Sequence, residues 1–367
     1  MNKILLIVIS IFCLNSFHSI SQTVDLTSVD EFLKVASIIK DGKEVSEEQW
    51  KGFDNSSSYK GFAESENKFL INTIKTSMNI AFGADLKADK DNILNISQVE
   101  MIANRALLLR KQILINYINV NDNFESIMSF RNNYDFDALI EKTKQRLSSF
   151  LGQPLDSSVV FKPVYFLFIT ADGKNNTDAL YIDFNLIYKK TEEQRINFLA
   201  HEFFHNYREK YEKHEFNHKS DLNYCLDMIQ NEGIADLIDK SEGYRKYFTE
   251  SGELPEIIEV WDSLYNQANT DLEIFHNLIL SYSRNEISEK ETVDDILKIV
   301  KFNGHPIGFF MANQIVNAGY KSNMLNTFYN PNEFYKLYNK AAKQLQTFQL
   351  SNKFMDNLNA LTEEYYR

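Results

Sequence analysis

Apolar residues along the chain follow two different periods, and the changes of period divide the sequence into three parts. In the first part they recur at intervals of three and four residues, as between residues 97 and 119, which is the spacing of amphipathic helices. Ser46 and Gln49 have the spacing of a capping box and predict the start of one such helix. We therefore expect a string of helices from residue 22 to about residue 158.

A short segment with strand character follows. The run from Val164 to Ile169 is continuously apolar and has the length of a strand, and Asp172-Gly173 then supplies a turn signal. From Leu180 to Ile187 apolar and polar residues largely alternate, which indicates a strand with one buried face. These stretches predict a hairpin, or two neighbouring strands of a small antiparallel sheet.

The remainder of the chain is predicted to be helical. Thr191 and Gln194 form a second capping box, and Asn330-Pro331 is a favourable start for the last long segment. Glycine (12 residues) and proline (5 residues) are scarce, so the whole pattern favours a predominantly helical α+β protein. Helix breaks are expected near Gly243, Gly252, Pro255 and Gly304 to Pro306.

Composition and charge narrow the class of protein. The 367 residues are 44% hydrophobic and 25% charged, as in ordinary soluble globular proteins, and they are enough to bury a sizeable core. The formal net charge of −12 argues against nucleic acid and against anionic membrane surfaces as partners. The net charge gives no information about catalysis, which has to be inferred from sequence motifs.

The N-terminal residues have the pattern of a signal peptide. Lys3 supplies a positive charge, and the apolar run from Ile4 to Leu14 is too short to span a bilayer. Ser19-Ile20-Ser21 provides small residues at the spacing of a cleavage site, so the mature chain is expected to begin at Gln22 and to be exported. We predict no stable membrane insertion of the mature chain.

The two cysteines bear on export and on disulfides. Cys13 lies in the signal stretch and raises the alternative of a lipoprotein, but the bulky Phe12 precedes it, where such signals have a small residue. After cleavage only Cys225 remains, so no disulfide can form within the chain. We expect Cys225 to be a small buried apolar residue.

The clearest chemical motif is His201-Glu202-Phe203-Phe204-His205 on the helix that follows Thr191. Histidines four residues apart stand on one helix face, so both imidazoles can bind a single ion. Glu202 projects to one side, from where it can reach a water on the metal. This is the H-E-x-x-H arrangement of zinc hydrolases.

A second match to the motif, from His214 to His218, follows closely. Its neighbours are charged and polar, which indicates a solvent-facing loop. Apolar residues surround the first match, which indicates a helix that can be buried. A metal site has to be sheltered from bulk water, so we select His201 and His205.

The third ligand is expected downstream in Asn231-Glu232-Gly233-Ile234-Ala235-Asp236. On a helix from 220 to 240, the two acids of this segment continue a buried apolar stripe. Buried carboxylates need a metal or another partner. Glu232 as a ligand and Asp236 as the acceptor for a ligand histidine N–H would satisfy both, whereas an internal salt bridge at the end of a core helix is the alternative.

H-E-x-x-H followed by N-E-x-x-x-D on a later helix is similar to the thermolysin-like gluzincins. In that group two histidines and the downstream glutamate bind zinc, the motif glutamate is the general base and the aspartate orients the first histidine. The resemblance implies that His201, His205 and Glu232 bind Zn²⁺, that Glu202 is the base and that Asp236 orients His201.

The longer segments AHEFFHNYR, NEGIAD and GHPIGFFMA resemble a family of secreted bacterial proteins described as zinc-dependent peptidases. They cover only about residues 195–240 and 304–312. The interval from His205 to Glu232 is longer than in thermolysin-like enzymes and contains the second match. In gluzincins an edge strand before the motif helix pairs with an extended peptide substrate, a role that the resemblance gives to the strand 180–187.

Other polar residues allow a functional or a purely structural interpretation. His305, at a predicted helix entrance, could donate a hydrogen bond to an oxyanion, as a histidine or tyrosine does in gluzincins, or could simply close the turn before Pro306. Arg208 could bind a substrate carboxylate or form a surface salt bridge. His276 is expected to be a satisfied core or half-buried histidine.

The sequence thus predicts an exported zinc metallohydrolase with a zincin-like core, most simply a peptidase acting on a peptide or protein substrate. A zinc amidase or esterase acting on a non-peptide substrate is one alternative. A non-catalytic metal-binding protein is another, but a structural site has no use for Glu202. The predicted regions are a signal peptide (1–21), an N-terminal helical region (22–158), a catalytic core (159–245) and a C-terminal helical region that completes the cleft (246–367).

Overall fold

The computed structural model describes residues 24–65, 68–84, 86–97, 104–170, 173–212, 220–251, 253 and 255–366. In these ranges the chain is predominantly helical and forms one small four-stranded sheet, as predicted. None of the helices in these ranges has the length and hydropathy needed to cross a membrane. The predicted signal peptide and the match from His214 to His218 lie outside the described residues and stay predictions.

Helices dominate the part of the chain before the sheet, in agreement with the apolar spacing. The capping box at Ser46 is present, because its hydroxyl accepts from Gln49 N and its own N–H donates to the Gln49 side chain. The helix predicted at 97–119 is observed from Arg105 to Asp122. The elements are β1 (Val24–Asp25), α1 (Thr27–Lys40), α2 (Glu47–Asn55), α3 (Ser57–Ser65), α4 (Lys68–Phe82), α5 (Lys87–Leu94), α6 (Arg105–Asp122), α7 (Phe124–Asn133) and α8 (Phe136–Leu151).

The sheet is mixed, with the strand order β1-β2-β4-β3. Its later strands are β2 (Val164–Leu167), β3 (Gly173–Asn175) and β4 (Leu180–Asp183). The prediction that β2 and β4 are neighbours is confirmed, but the prediction of an antiparallel sheet is wrong, because β2 pairs in parallel with both β1 and β4. The short β3 lies between β2 and β4 in sequence and reverses the chain, so it takes the antiparallel place beside β4.

The second predicted strand is shorter than its alternation suggests. β4 ends at Asp183, whose carboxylate accepts from Leu186 N and caps helix α9 (Phe184–Lys189). All four residues of β4 are buried, since β4 is an inner strand with neighbours on both sides. The assignment of the edge to the strand 180–187 is therefore wrong, and the edge strands of this sheet are β1 and β3.

Helices follow the sheet to the end of the described chain. The starts predicted at Thr191 and Asn330 are both observed, and each side chain accepts from a backbone N–H three residues on. The elements are α10 (Glu192–Glu209), α11 (Asp221–Asp239), α12 (Tyr244–Glu250), α13 (Pro255–Ser283), α14 (Glu289–Ile299), a 3₁₀ turn (Phe302–Gly304), α15 (His305–Asn317), α16 (Lys321–Asn326), α17 (Pro331–Leu345) and α18 (Asn352–Tyr366).

One cluster of buried apolar residues extends from Val29 in α1 to Leu358 in α18. It includes the sheet and the apolar faces of α10 and α11, so both motif helices cross the interior of the protein. Cys225 on α11 is buried in it, as predicted. The division into three regions after the signal peptide stays a prediction.

Candidate metal centre

The first histidine pair lies on the buried part of helix α10. The capping box at Thr191 fixes the start of the helix, and Phe198, Leu199 and Phe203 anchor it in the core. His201 is 5% exposed, and its ring centroid lies 4.8 Å from that of His205. The one-turn spacing therefore brings the two imidazoles side by side in a sheltered position, as a metal site requires.

Helix α11 is tied to α10 through a buried arginine. Arg208, one turn beyond His205, has no exposed surface, and its guanidinium pairs with both oxygens of Asp227. It also donates to Gln230 Oε1 at 2.8 Å and to the carbonyl oxygen of Phe328 at 3.3 Å. Arg208 is thus a salt-bridge partner, but buried rather than on the surface, and it holds together the helices that carry the predicted ligands.

Helix α15 crosses α11 at a pair of glycines. A Cβ atom added to Gly308 would lie 2.2 Å from the carbonyl oxygen of Ile229, and one added to Gly233 would lie 2.3 Å from that of Gly308. Gly304, with φ +88°, precedes α15 and also lies against Ile229. Because the backbones touch, His305 at the start of α15 reaches the acidic end of α11.

Gly308→Ala is expected to lower the free energy of unfolding by about 1–3 kcal/mol, because the new methyl group would have to push two helix backbones apart. Urea unfolding followed by circular dichroism measures the change. Gly52→Ala in α2 is the matched control, since its methyl group would meet only the end of the Glu31 side chain, at 3.1 Å. Equal stabilities of the two variants would contradict the close crossing.

Three imidazoles converge on one carboxylate oxygen. Glu232 Oε2 lies 3.6 Å from His201 Nε2, 3.3 Å from His205 Nε2 and 3.4 Å from His305 Nε2. This oxygen is buried and accepts no hydrogen bond within the described part of the chain. A buried acceptor without a donor is costly, which indicates that a cation belongs beside it.

The spacing of these atoms fits zinc. The ligand atoms of His201, His205 and Glu232 all lie within 4.8 Å of one another. Zinc bonds of about 2.0–2.1 Å put neighbouring ligands of a tetrahedral site roughly 3.3 Å apart, close to the observed separations of the two histidines from Glu232. Two histidines and one carboxylate leave the fourth position open, as in catalytic zinc sites.

Each imidazole has an acceptor for its other ring nitrogen. His205 Nδ1 donates to Asn231 Oδ1 at 3.0 Å. The expected bond from His201 to Asp236 is not the one observed, because His201 Nδ1 donates to Asp239 Oδ1 at 3.2 Å and lies 3.7 Å from Asp236. Asp236 instead accepts from His305 Nδ1 at 2.9 and 3.1 Å, since α15 brings that ring alongside.

Electrostatics at the centre follow from these pairs. Burial alone would raise the pKa of Glu232, but the imidazoles of His205 and His305 hold this pKa well below its usual range. Burial would lower the pKa of His201, but the adjacent Asp239 carboxylate raises this pKa well above its usual value. The low pKa values of Glu232 and Asp239 keep these carboxylates ionised, so Asp239 acts only as an acceptor and His201 Nδ1 is the donor.

A second group of possible ligands shares His201 with the first. His201, Asp236 and His305 also offer three atoms within 4.8 Å of one another. However, the ammonium of the buried Lys240 lies 2.6 Å from Asp236 Oδ1, so a cation already faces this carboxylate. The salt bridge considered as an alternative for Asp236 is thus present, and the first group remains the better metal site.

Glu202 follows His201 on α10, and its carboxylate lies against an edge strand of the sheet. Its side chain is buried, and a Cβ atom added to Gly173 in β3 would lie 2.9 Å from Glu202 Oε1. The backbone of the edge strand therefore runs directly past this carboxylate. Any other residue at position 173 would have to displace this carboxylate or the neighbouring Phe198 ring.

The remaining candidates are structural. His276 is half-buried, and its Nε2 lies 2.8 Å from Ser351 Oγ, as the sequence predicts for a satisfied histidine.

The sequence analysis did not identify Asp239, Asn231 and Lys240 as residues that contact the predicted ligands or their acceptors. Asp239 lies seven residues after Glu232 and therefore on the same helical stripe, which is the signal that could have identified it. Lys240 follows it directly.

Fold and site together define a predominantly helical protein in which two histidines and one glutamate form a candidate metal centre. Residues 50–347, most of the chain, match the model of the family described as "Putative zinc dependent peptidase (DUF5700)", and the chain belongs to this family. Its cofactor is accordingly zinc, and the family is one of peptidases that act on peptides or proteins. None of the curated proteins and none of the solved structures matches the chain.

Proposed function

We propose that this protein is a gluzincin-type zinc metallopeptidase with a zincin-like core in residues 159–245. The convergence of His201, His205 and Glu232 carries this proposal, and Glu202 directly follows His201 on α10. The predicted ligands lie on α10 and α11, and the base Glu202 lies on α10 with the two histidines. A structural zinc site is closed by four protein ligands and has no base.

Glu202 accepts the proton of the attacking water and delivers it to the leaving amine. When bound, zinc would polarise the scissile carbonyl and acidify that water. His305 donates from Nε2 to the carbonyl oxygen as negative charge develops there. Both of its ring nitrogens carry protons in the imidazolium form, which Asp236 favours by accepting from Nδ1.

The substrate peptide would lie along β3. This strand is an edge of the sheet, and its Gly173 borders Glu202. An extended peptide added as a further strand would bring a main-chain carbonyl next to the base without regard to side chains. This arrangement favours hydrolysis of a main-chain amide over hydrolysis of small esters.

Metal analysis and hydrolysis assays on residues 22–367 test the proposal. We expect about one zinc per chain and cleavage of a peptide library, with chelation abolishing both. His201→Ala should lose zinc and activity, whereas His214→Ala, in the second motif match, should keep both. Loss of zinc in His214→Ala but not in His201→Ala would contradict this assignment of the metal site. Turnover of only esters or cell-wall fragments would keep the hydrolase and reject the peptidase, and no turnover at all would favour a binding protein.

Export belongs to the same proposal. Residues 1–21 would act as a signal peptide, and the remaining regions (22–158, 159–245 and 246–367) would form the mature enzyme. N-terminal sequencing of the exported protein should begin at Gln22. A protein that stays inside the cell and still carries residues 1–21 would contradict export by this route.

A further inference from the structure

Two carboxylates near the end of α11 serve two different histidines. Asp239 Oδ1 accepts from His201 Nδ1 at 3.2 Å. Asp236 accepts from His305 Nδ1 with both oxygens, at 2.9 and 3.1 Å. Asp236 and Asp239 are both almost fully buried, so neither is a solvated surface charge.

One ammonium holds both carboxylates in place. Lys240 Nζ donates to Asp236 Oδ1 at 2.6 Å and to the two oxygens of Asp239 at 3.2 and 3.0 Å. The Lys240 side chain is only 6% exposed, and the aromatic ring of Tyr247 lies 4.7 Å from its ammonium. Two adjacent buried carboxylates would otherwise repel each other, so the ammonium of Lys240 offsets this repulsion and fixes their orientation.

We propose that Asp239 is the positioning residue of the zinc ligand His201, and that Asp236 positions His305 alone. This inference rests on the proposed function and refines it, because the motif resemblance gives Asp236 the role at His201. Metal binding and carbonyl binding are then oriented by separate carboxylates, which Lys240 joins into one rigid unit.

The chemistry follows from the imidazole tautomer. A carboxylate that accepts from Nδ1 keeps the proton there, so His201 Nε2, 3.6 Å from Glu232 Oε2, would be the nitrogen that binds the metal. The distance from His201 Nδ1 to Asp236 is 3.7 Å, too long for this task. Loss of Asp239 therefore frees the ring of a predicted metal ligand. Loss of Asp236 frees the ring of His305, which lies 3.4 Å from Glu232 Oε2 but is outside the group of His201, His205 and Glu232.

Asp239→Ala and Asp236→Ala form a matched pair. Each removes one buried carboxylate and leaves Lys240 with the other, so the change in charge near the metal is the same. Zinc affinity of the apoprotein is measured with a chromophoric competitor, and the absorption spectrum of the Co²⁺-substituted protein reports the ligand geometry. Activity at saturating zinc is measured in parallel.

We expect Asp239→Ala to weaken zinc binding by about 10–100-fold and to alter the Co²⁺ spectrum. Asp236→Ala should keep the zinc affinity within about threefold and the Co²⁺ spectrum unchanged, but lower kcat by up to about 10²-fold at saturating zinc. A role in folding alone would not produce this split, since both variants lose a comparable ion pair.

Unchanged zinc affinity in Asp239→Ala, or an equal loss in Asp236→Ala, would overturn the inference. If either alanine variant does not fold, the Asn pair is compared by the same criteria. Failure of the proposed function is distinguishable, because it would appear as absence of zinc in the parent protein or as zinc retention in His201→Ala. A parent that binds zinc through His201, together with an Asp239 variant that binds it equally well, would reject this inference only.

Discussion

Glu202→Gln is expected to lower kcat for peptide hydrolysis by about 10²–10⁴-fold while the protein still binds about one zinc. The amide has the size of the carboxylate but cannot take a proton from water. Glu202 is not among the three grouped ligands, so the metal should remain. The measurements are steady-state hydrolysis of a peptide substrate and zinc content of the same preparation.

The control for this variant lies on the same helix. Glu193→Gln changes a carboxylate in the first turn of α10, where it complements the helix dipole and takes no part in the centre. Its kcat should equal that of the parent within about twofold, since the dipole effect is confined to the first turn. Parental activity in Glu202→Gln, or loss of its zinc, would show that Glu202 is not the base.

Arg208→Met is expected to lower the free energy of unfolding by about 3–5 kcal/mol. The guanidinium is fully buried, and its substitution removes the positive charge that faces the buried carboxylate of Asp227. Gln230 and the carbonyl oxygen of Phe328 also lose a donor. Urea unfolding of the metal-free protein measures the change without the contribution of zinc binding.

The matched control is Arg131→Met. Arg131 makes two hydrogen bonds to Asp30, at 2.8 and 2.7 Å, but half of the Asp30 side chain is exposed. Water can solvate Asp30 when its partner is lost, so we expect a change of only about 0–1 kcal/mol. Similar losses in the two variants would mean that burial of the Arg208 network does not matter for stability.

Local signals predicted the helices that carry the centre. The capping box at Thr191 and the spacing of His201 and His205 depend only on residues within a few positions of one another, so they can be read without knowledge of the fold. The stripe on α11 likewise predicted that Glu232 and Asp236 are buried on one face. These features belong to single helices.

The direction of the strands could not be derived in the same way. β2 and β4 have the apolar patterns of strands, but their parallel pairing depends on the path of the chain through β3, a strand of three residues with no apolar alternation. The sequence also did not predict that His201 donates to Asp239 and that His305 donates to Asp236. This arrangement depends on His305, which is 69 residues away from Asp236 in sequence.

The sequence by itself determined which residues can bind a metal, because the H-E-x-x-H spacing and the carboxylate stripe follow from the 3.6-residue period of single helices. Only the tertiary structure decided which carboxylate orients which histidine and which strand lies at the edge beside Glu202. The crossing of α11 and α15 at Gly233 and Gly308 joins residues far apart in the chain. No local period encodes such a contact, so it exists only once the helices have packed.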